Sequence, residues 1–198
     1  MKKTTRVTRG FGLLEKPLAR LRAQLADKLI PSTLRTGRIL DIGCGSYPYF
    51  LSHTAFKSKF AIEQQDSSIE VPGINWLHLD LNAAPKIPFP DAYFDIITLL
   101  AVIEHMDPDS VVLLFKECHR ALRTGGRLII TTPSPWASQL LKFMAQLYLV
   151  SKEEIQEHEY SYSHPLIAWY FGKSNFERTN ISLGYFEFFL NIFAYAIK

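Results

Sequence analysis

Three acids and two glycines carry the first chemical signal in this 198-residue chain. The stretch from Ile39 to Phe50 reads ILDIGCGSYPYF, an apolar run holding Asp41 and followed at once by Gly43 and Gly45. Glycine has no Cβ, so a G-x-G turn bends tightly and lets another molecule come close to the backbone. Glu63 lies 20 residues after Gly43, the spacing at which an acid beyond the second strand of a nucleotide-binding sheet accepts both ribose hydroxyls. Asp80 follows in LDLN, where a third strand would end and where a carboxylate can accept an exocyclic adenine amine. An acid beside a pyrophosphate would be repelled, so an acid-lined cradle suits a nucleoside joined to a cationic group. The dinucleotide fingerprint also needs a third glycine, and Pro48 and its neighbours stand there instead, which disfavours a nicotinamide or flavin cofactor.

Placing these residues together requires strands that end where they sit. From Arg38 onward, short apolar runs alternate with longer segments of helical period, which predicts an α/β fold whose strand-helix units feed one largely parallel sheet. The expected strands are Arg38 to Ile42, Lys59 to Glu63, Trp76 to Leu79, Phe94 to Leu100 and Arg127 to Thr132. A closing pair is expected over Ile181 to Phe189 and Asn191 to Ile197. Asp41, Glu63 and Asp80 then fall at three successive strand ends, the edge at which open parallel sheets bind ligands. Between the fourth and fifth strands, Asp107 predicts a helix cap with Pro108 in the first turn. Val111, Leu114, Phe115, Cys118 and Leu122 form its apolar face, and Gly125-Gly126 lies past its end. Ser46 is placed to cap a short helix after the G-x-G turn. A further helix is expected from Ser134-Pro135 toward Val150, followed by a polar and aromatic stretch from Glu153 to Pro165.

With 47% hydrophobic residues the chain can bury the core of one domain. Its two cysteines, Cys44 and Cys118, form no C-x-x-C pair, which fits a reducing, cytoplasmic setting. Nothing at the start resembles a signal peptide. The most apolar segment, Tyr185 to Ile197, is too short to span a bilayer and contains Glu187, so a soluble protein is expected. The net charge of +3 conceals an asymmetry: residues 1–38 carry ten Lys or Arg against two acids, and the remainder twelve against seventeen. A basic arm of this kind attracts nucleic acid, anionic lipid or an acidic substrate. The plainer reading is a solvated amphipathic helix from about Leu13 to Ile30, with Leu14, Leu18, Leu21, Leu25 and Leu29 along it. The chain thus divides into a basic segment, 1–36, and a site-bearing domain, 37–198.

LDIGCG at 40–45, AIEQ at 61–64, LDLN at 79–82, IPFPDAYFDIITLLAVIEHM at 87–106 and ECHRALRTGGRLIITTPS at 117–134 together resemble the class I S-adenosylmethionine-dependent methyltransferases, in particular their small-molecule, type 11-like branch. The resemblance spans roughly residues 37–198. It implies a Rossmann-like, seven-stranded, mostly parallel sheet with an antiparallel last strand, helices on both faces, and S-adenosyl-L-methionine as cofactor. On matching positions it implies that Asp41, Gly43 and Gly45 cradle the methionine part, that Glu63 holds the ribose, and that Asp80 and Leu81 hold adenine. Leu100, Ala101 and Val102 would line the cofactor side of the acceptor pocket.

Methyl transfer is an in-line displacement with a good leaving group, so a protein need only hold the nucleophile near attack, exclude water and, for some acceptors, remove a proton. An oxygen nucleophile calls for a base near neutral pKa. His105, after Glu104, and His158, in EHEYSYSH, are the candidate catalytic residues, and each is also readable as an ordinary structural or exposed histidine. Tyr160 and Tyr162 either present their rings to a sulfonium or aromatic acceptor or pack. Glu104-His105 is also similar to the E-x-x-E-H pattern of quinone-biosynthesis O-methyltransferases, which is associated with a metal. Ala101 replaces the first acid here, and no metal is expected. Cys44 reads as a small residue in a tight turn.

The expected function is methyl transfer to a small-molecule acceptor, at oxygen or nitrogen rather than carbon. A nucleic-acid (RNA) methyltransferase using the basic arm is the nearest rival. Against it, the N/D-P-P-Y/F turn of base-amine methyltransferases is replaced by LLAVIEHM, the Pro-Cys nucleophile of cytosine C5 enzymes is absent, and Phe11 is the arm's sole aromatic residue. The second rival is a non-catalytic methyltransferase-fold module that binds a partner or membrane surface through its basic helix. Acceptor identity and oligomeric state are not specified by the sequence.

Overall fold

Residues of β1 (Arg38–Ile42) and β4 (Phe94–Leu100) are apolar toward both faces of the sheet, the pattern of central parallel strands covered on each side. A computed structural model, which describes residues 15–64, 71–137 and 160–198, places them at the centre of a seven-stranded sheet. The other strands are β2 (Ser58–Glu63), β3 (Ile74–His78), β5 (Leu122–Pro133), β6 (Ile181–Phe186) and β7 (Asn191–Ile197), in the order β3-β2-β1-β4-β5-β7-β6. β1 through β5 pair in parallel, and β7 runs antiparallel to both β5 and β6. The expected α/β sheet, mostly parallel with an antiparallel last strand, is therefore present.

The pleat divides the apolar residues between two cores. Leu40, Ile97, Leu99, Leu128 and Ile130 face α3 (Pro108–Ala121) and α4 (His164–Lys173). Ile39, Ala61, Ile96 and Ile129 face α1 (Glu15–Lys28) and α2 (Tyr49–His53). α3 starts as its sequence dictates: the Asp107 carboxylate accepts from the N–H groups of Asp109 at 3.1 Å and Ser110 at 3.2 Å, with Pro108 in the first turn. Val111, Leu114, Phe115 and Cys118 are buried along its inner face.

Several boundaries differ from the expectation. α3 ends at Ala121 and β5 begins directly at Leu122, so Gly125 and Gly126 lie within the strand. They are held there by pairing beyond β7, with Gly125 N–H bonded to Lys198 O at 2.7 Å and Lys198 N–H to Gly126 O at 3.0 Å. β3 occupies Ile74–His78 because its register follows Lys59 to Glu63 of β2, which leaves Leu79 and Asp80 in the following loop. β6 stops at Phe186, since Glu187, Phe188 and Phe189 all have left-handed backbone and cannot continue a ladder. Ser46 does not cap α2, which begins at Tyr49 with Pro48 at the cap and no side-chain bond to it. In α1, Ala23 and Ala26 are buried and Leu21 is 48% exposed, while Leu29 and Ile30, just past its end, pack with them in the same core. The helix expected from Ser134-Pro135 toward Val150, and most of Glu153 to Pro165, lie outside the described residues. No described helix is long and apolar enough to cross a membrane.

Candidate functional site

β1 delivers Asp41 opposite Thr98 of β4. Both are buried, and the Thr98 hydroxyl donates to Asp41 Oδ1 at 2.5 Å. Burial pushes the Asp41 carboxyl up to about 7, with the charge of Glu63 adding to the effect and the Thr98 hydrogen bond opposing it. A carboxyl whose pKa is raised on folding stabilises the native state while protonated, and that contribution is lost as pH rises from about 4 through about 7. Asp41→Asn should therefore melt above the wild type at pH 8, by on the order of 5 °C, with the difference closing toward pH 4. Thermal melts followed by circular dichroism across that range check this, and a gap independent of pH would contradict it.

The turn after β1 is shaped by close approach on one side and open space on the other. Gly43 has φ +73°, donates its N–H to Ile62 O of β2 at 2.8 Å, and would place a Cβ 2.6 Å from Val102 Cγ2. Val102 arrives there because Ala101 takes a left-handed conformation, φ +59°, and donates its N–H to Thr131 O at 3.0 Å and Thr131 Oγ1 at 3.1 Å. Gly45 has φ +72° and nothing within 4 Å of where a Cβ would stand. Its N–H bonds Glu63 Oε2 at 2.8 Å, and Gln64 N–H bonds Glu63 Oε1 at 3.0 Å. Each Glu63 oxygen is thus oriented by a backbone donor.

Gln64 continues the chain of contacts, donating from Nε2 to Asp80 Oδ2 at 3.1 Å, while Asp80 Oδ1 accepts from Asn82 N–H at 2.9 Å and Ala83 N–H at 3.2 Å. Asp80 is exposed and Leu81 beside it is buried. Asp41, Gly43, Gly45, Glu63 and Asp80 are therefore joined into one edge. Cys44 lies among them with its thiol pushed up by burial and by the charges of Asp41 and Glu63, which leaves it no thiolate character at neutral pH.

Across the cradle, Leu100 and Ala101 are half-buried and lead into the short turn Ile103–His105. His105 is half-buried beside Glu104, which is 1% exposed. Among the described residues, neither Glu104 oxygen, nor the buried Thr132 hydroxyl, has a hydrogen-bond partner. Burial raises the Glu104 pKa, opposed by the charges of His105 and Arg22 and by the nearness of Thr132, whose hydroxyl stops short of a bond. A buried acid left this way costs stability unless something donates to it. Glu104→Met, similar in volume, should raise the stability at pH 8 by about 1–3 kcal/mol, read from urea melts. A loss instead would show that Glu104 holds the fold.

The packing reading is the one realised at Tyr162: it is buried, and its hydroxyl reaches Met106 O only at 3.4 Å. Tyr160 is half-buried against the core, with its N–H bonded to Glu104 O at 3.3 Å. His158 lies outside the described residues. Thr98 and the orphan carboxylate of Glu104 are not in the sequence-derived set. Thr98 had a legible signal, a hydroxyl inside the buried run FDIITLL, whereas the isolation of Glu104 depends on its neighbours in space.

Residues 13–181 match the family model for a methyltransferase domain. A 27-O-demethylrifamycin SV methyltransferase from Amycolatopsis mediterranei is 32% identical over 137 residues, which cover 62% of this chain and 48% of that protein. A ubiquinone/menaquinone biosynthesis C-methyltransferase from Desulfotalea psychrophila is 28% identical over 122 residues, covering 57% and 48%. The chain spans about half the length of these curated relatives. In fold, it is similar to a SAM-dependent methyltransferase from Archaeoglobus fulgidus, with a TM-score of 0.69 at 16% identity over 90% of this chain and 93% of that one. A match over most of the chain, on a sheet of this order with an acid-and-glycine edge, places the chain in the class I S-adenosylmethionine-dependent methyltransferase family.

Proposed function

We propose that this chain transfers a methyl group from S-adenosyl-L-methionine to a small-molecule acceptor, at oxygen or nitrogen rather than carbon. The observation that carries the reading is the pair of backbone N–H groups, from Gly45 and Gln64, that aim the Glu63 carboxylate beside the open space over Gly45. The donor set fits the cofactor. Two buried acids, Asp41 and Glu63, repel each other and favour a cationic guest. Asp41, Gly43 and Gly45 would hold the methionine part, Glu63 the ribose hydroxyls, and Asp80 with Leu81 the adenine. Leu100 and Ala101 would close the cofactor side of the acceptor pocket. When bound, S-adenosyl-L-methionine supplies an electrophilic methyl on a sulfonium.

At the acceptor end, Glu104 and His105 stand at the carboxyl end of β4 and are the described groups suited to take a proton from an O–H or N–H nucleophile. His158, which the match of positions favours slightly, is the other candidate base. The 27-O-demethylrifamycin SV relative supports an oxygen acceptor. Reading the chain as a nucleic-acid methyltransferase rests on the charge of residues 1–38 alone.

Calorimetric titration with S-adenosylhomocysteine and, separately, NAD tests the proposal. Micromolar binding of the first and none of the second is expected. Absence of S-adenosylhomocysteine binding would overturn the assignment.

A further inference from the structure

We infer that the acceptor carries a protonated amine, received at the carboxyl edge of the sheet by Glu104, Thr132 and Glu187. The inference rests on the methyl-transfer reading above and names the chemistry of its acceptor. Three neighbouring strands, β4, β5 and β7, bring these residues to one place. Glu104 lies in the turn that follows β4, Thr132 near the end of β5, and Glu187 in the turn that leads into β7. Thr132 pairs with Ile192 and the next residue, Pro133, with Asn191, whose side-chain amide donates to Glu187 Oε2. On its other side Thr132 comes close to Glu104.

The polar atoms left over at this edge can all accept. Six buried side-chain polar atoms lack a partner among the described residues, and four of them are here: both Glu104 oxygens, Thr132 Oγ1 and Glu187 Oε1. Glu104 and Thr132 are each 1% exposed. Buried polar groups are nearly always bonded, so a gathering of this kind calls for a guest rich in donors. A hydroxyl offers one donor, whereas an ammonium offers three and a positive charge. Arg22 of α1 is near enough for its charge to favour both carboxylates, yet it bonds none of the four atoms. A buried carboxylate without a contacting cation is costly until one arrives. Calcium and magnesium suit the place less well, since they take six or more oxygens, and no cluster of three or more metal-binding side chains occurs among the described residues.

Glu187 is held at this edge against the ordinary preferences of a surface turn. Glu187, Phe188 and Phe189 have φ of +51°, +55° and +67°, and three successive non-glycine residues of this kind persist only where surrounding contacts impose them. Ser134 supplies those contacts: its N–H bonds Leu190 O at 2.9 Å and its hydroxyl bonds Phe189 O at 2.9 Å. The turn leaves Phe188 94% exposed while Glu187 Oε1 is shut away from water. A turn shaped by burial alone would do the reverse.

The test is calorimetric titration of the full chain, alone and saturated with S-adenosylhomocysteine, with tyramine, para-ethylphenol and phloretate. These share a phenol and a short arm, and differ in ending it with an ammonium, a methyl or a carboxylate. Tyramine is expected to bind at least about tenfold more tightly than either of the others, because two carboxylates face its ammonium. Glu187→Gln keeps the side chain's shape and should weaken tyramine at least about fivefold, with para-ethylphenol changed less than about twofold. Arg22→Gln should tighten tyramine by about twofold or more, because a like charge is withdrawn. If the acids served only to offset Arg22, that variant would lose stability in a thermal melt and gain no affinity, which would overturn the proposal. So would equal affinity for tyramine and para-ethylphenol, or tyramine affinity unchanged in Glu187→Gln, in a chain that binds S-adenosylhomocysteine. Absence of S-adenosylhomocysteine binding is the separate failure of the methyl-transfer reading, and titration of the chain alone then decides the amine site by itself.

Discussion

Glu63→Ala should weaken S-adenosylhomocysteine binding by about a hundredfold or more while the protein remains folded. If the carboxylate accepts both ribose hydroxyls, its removal deletes two charge-assisted hydrogen bonds, each worth about 1.5–3 kcal/mol, and tenfold in affinity corresponds to about 1.4 kcal/mol. The substitution also strips the Gly45 and Gln64 N–H groups of their acceptor, so the turn after β1 loosens. Removing the charge of Glu63 should at the same time let the Asp41 carboxyl fall from about 7. Calorimetry on the variant, with a thermal melt to establish folding, reads the effect. An affinity within about threefold of wild type would remove Glu63 from the ribose site, whatever the remaining acids do.

Gly43→Ala should cost more stability than Gly45→Ala, although both glycines have nearly the same φ. The left-handed conformation alone costs an alanine about 1 kcal/mol at either place. At Gly43 the new Cβ would also stand 2.6 Å from Val102 Cγ2, whereas at Gly45 it would meet nothing within 4 Å. A total of about 2–4 kcal/mol is expected for Gly43→Ala in denaturant melts, against about 1 kcal/mol for Gly45→Ala. Val102→Ala in the Gly43→Ala background should recover the steric part and leave the conformational part, which a double-mutant cycle isolates. Binding should follow a different order. Gly45→Ala, mild for stability, should still lower S-adenosylhomocysteine affinity at least about tenfold if the open space over it is where the proposed cofactor lies. Unchanged affinity in Gly45→Ala would place the cofactor elsewhere.

Local patterning was sufficient for the sheet and for one helix. β1, β4 and β7 occupy the spans that their apolar runs predict, and Asp107 with Pro108 starts α3 where capping chemistry requires. These features depend on neighbours in sequence, through periodicity, caps and fixed φ, so one dimension is enough to read them. Errors arose where a distant strand decided. β3 shifted to match the register of β2, and β5 reached back over Gly125-Gly126 to pair with the end of the chain.

The same division holds at the site. Residue types and spacing alone pointed to Asp41, Gly43, Gly45, Glu63 and Asp80, since an acid that follows a strand by a set count reaches the same edge in any sheet of this kind. Only the tertiary structure showed that Thr98 locks Asp41, that Val102 is what Gly43 must make room for, and that Glu104 is a buried acid with no donor among the described residues. Each of those facts is a contact between strands or turns far apart in the chain. Burial, which sets the cost of a charge and the room for a side chain, is a property of the surroundings that no single segment carries.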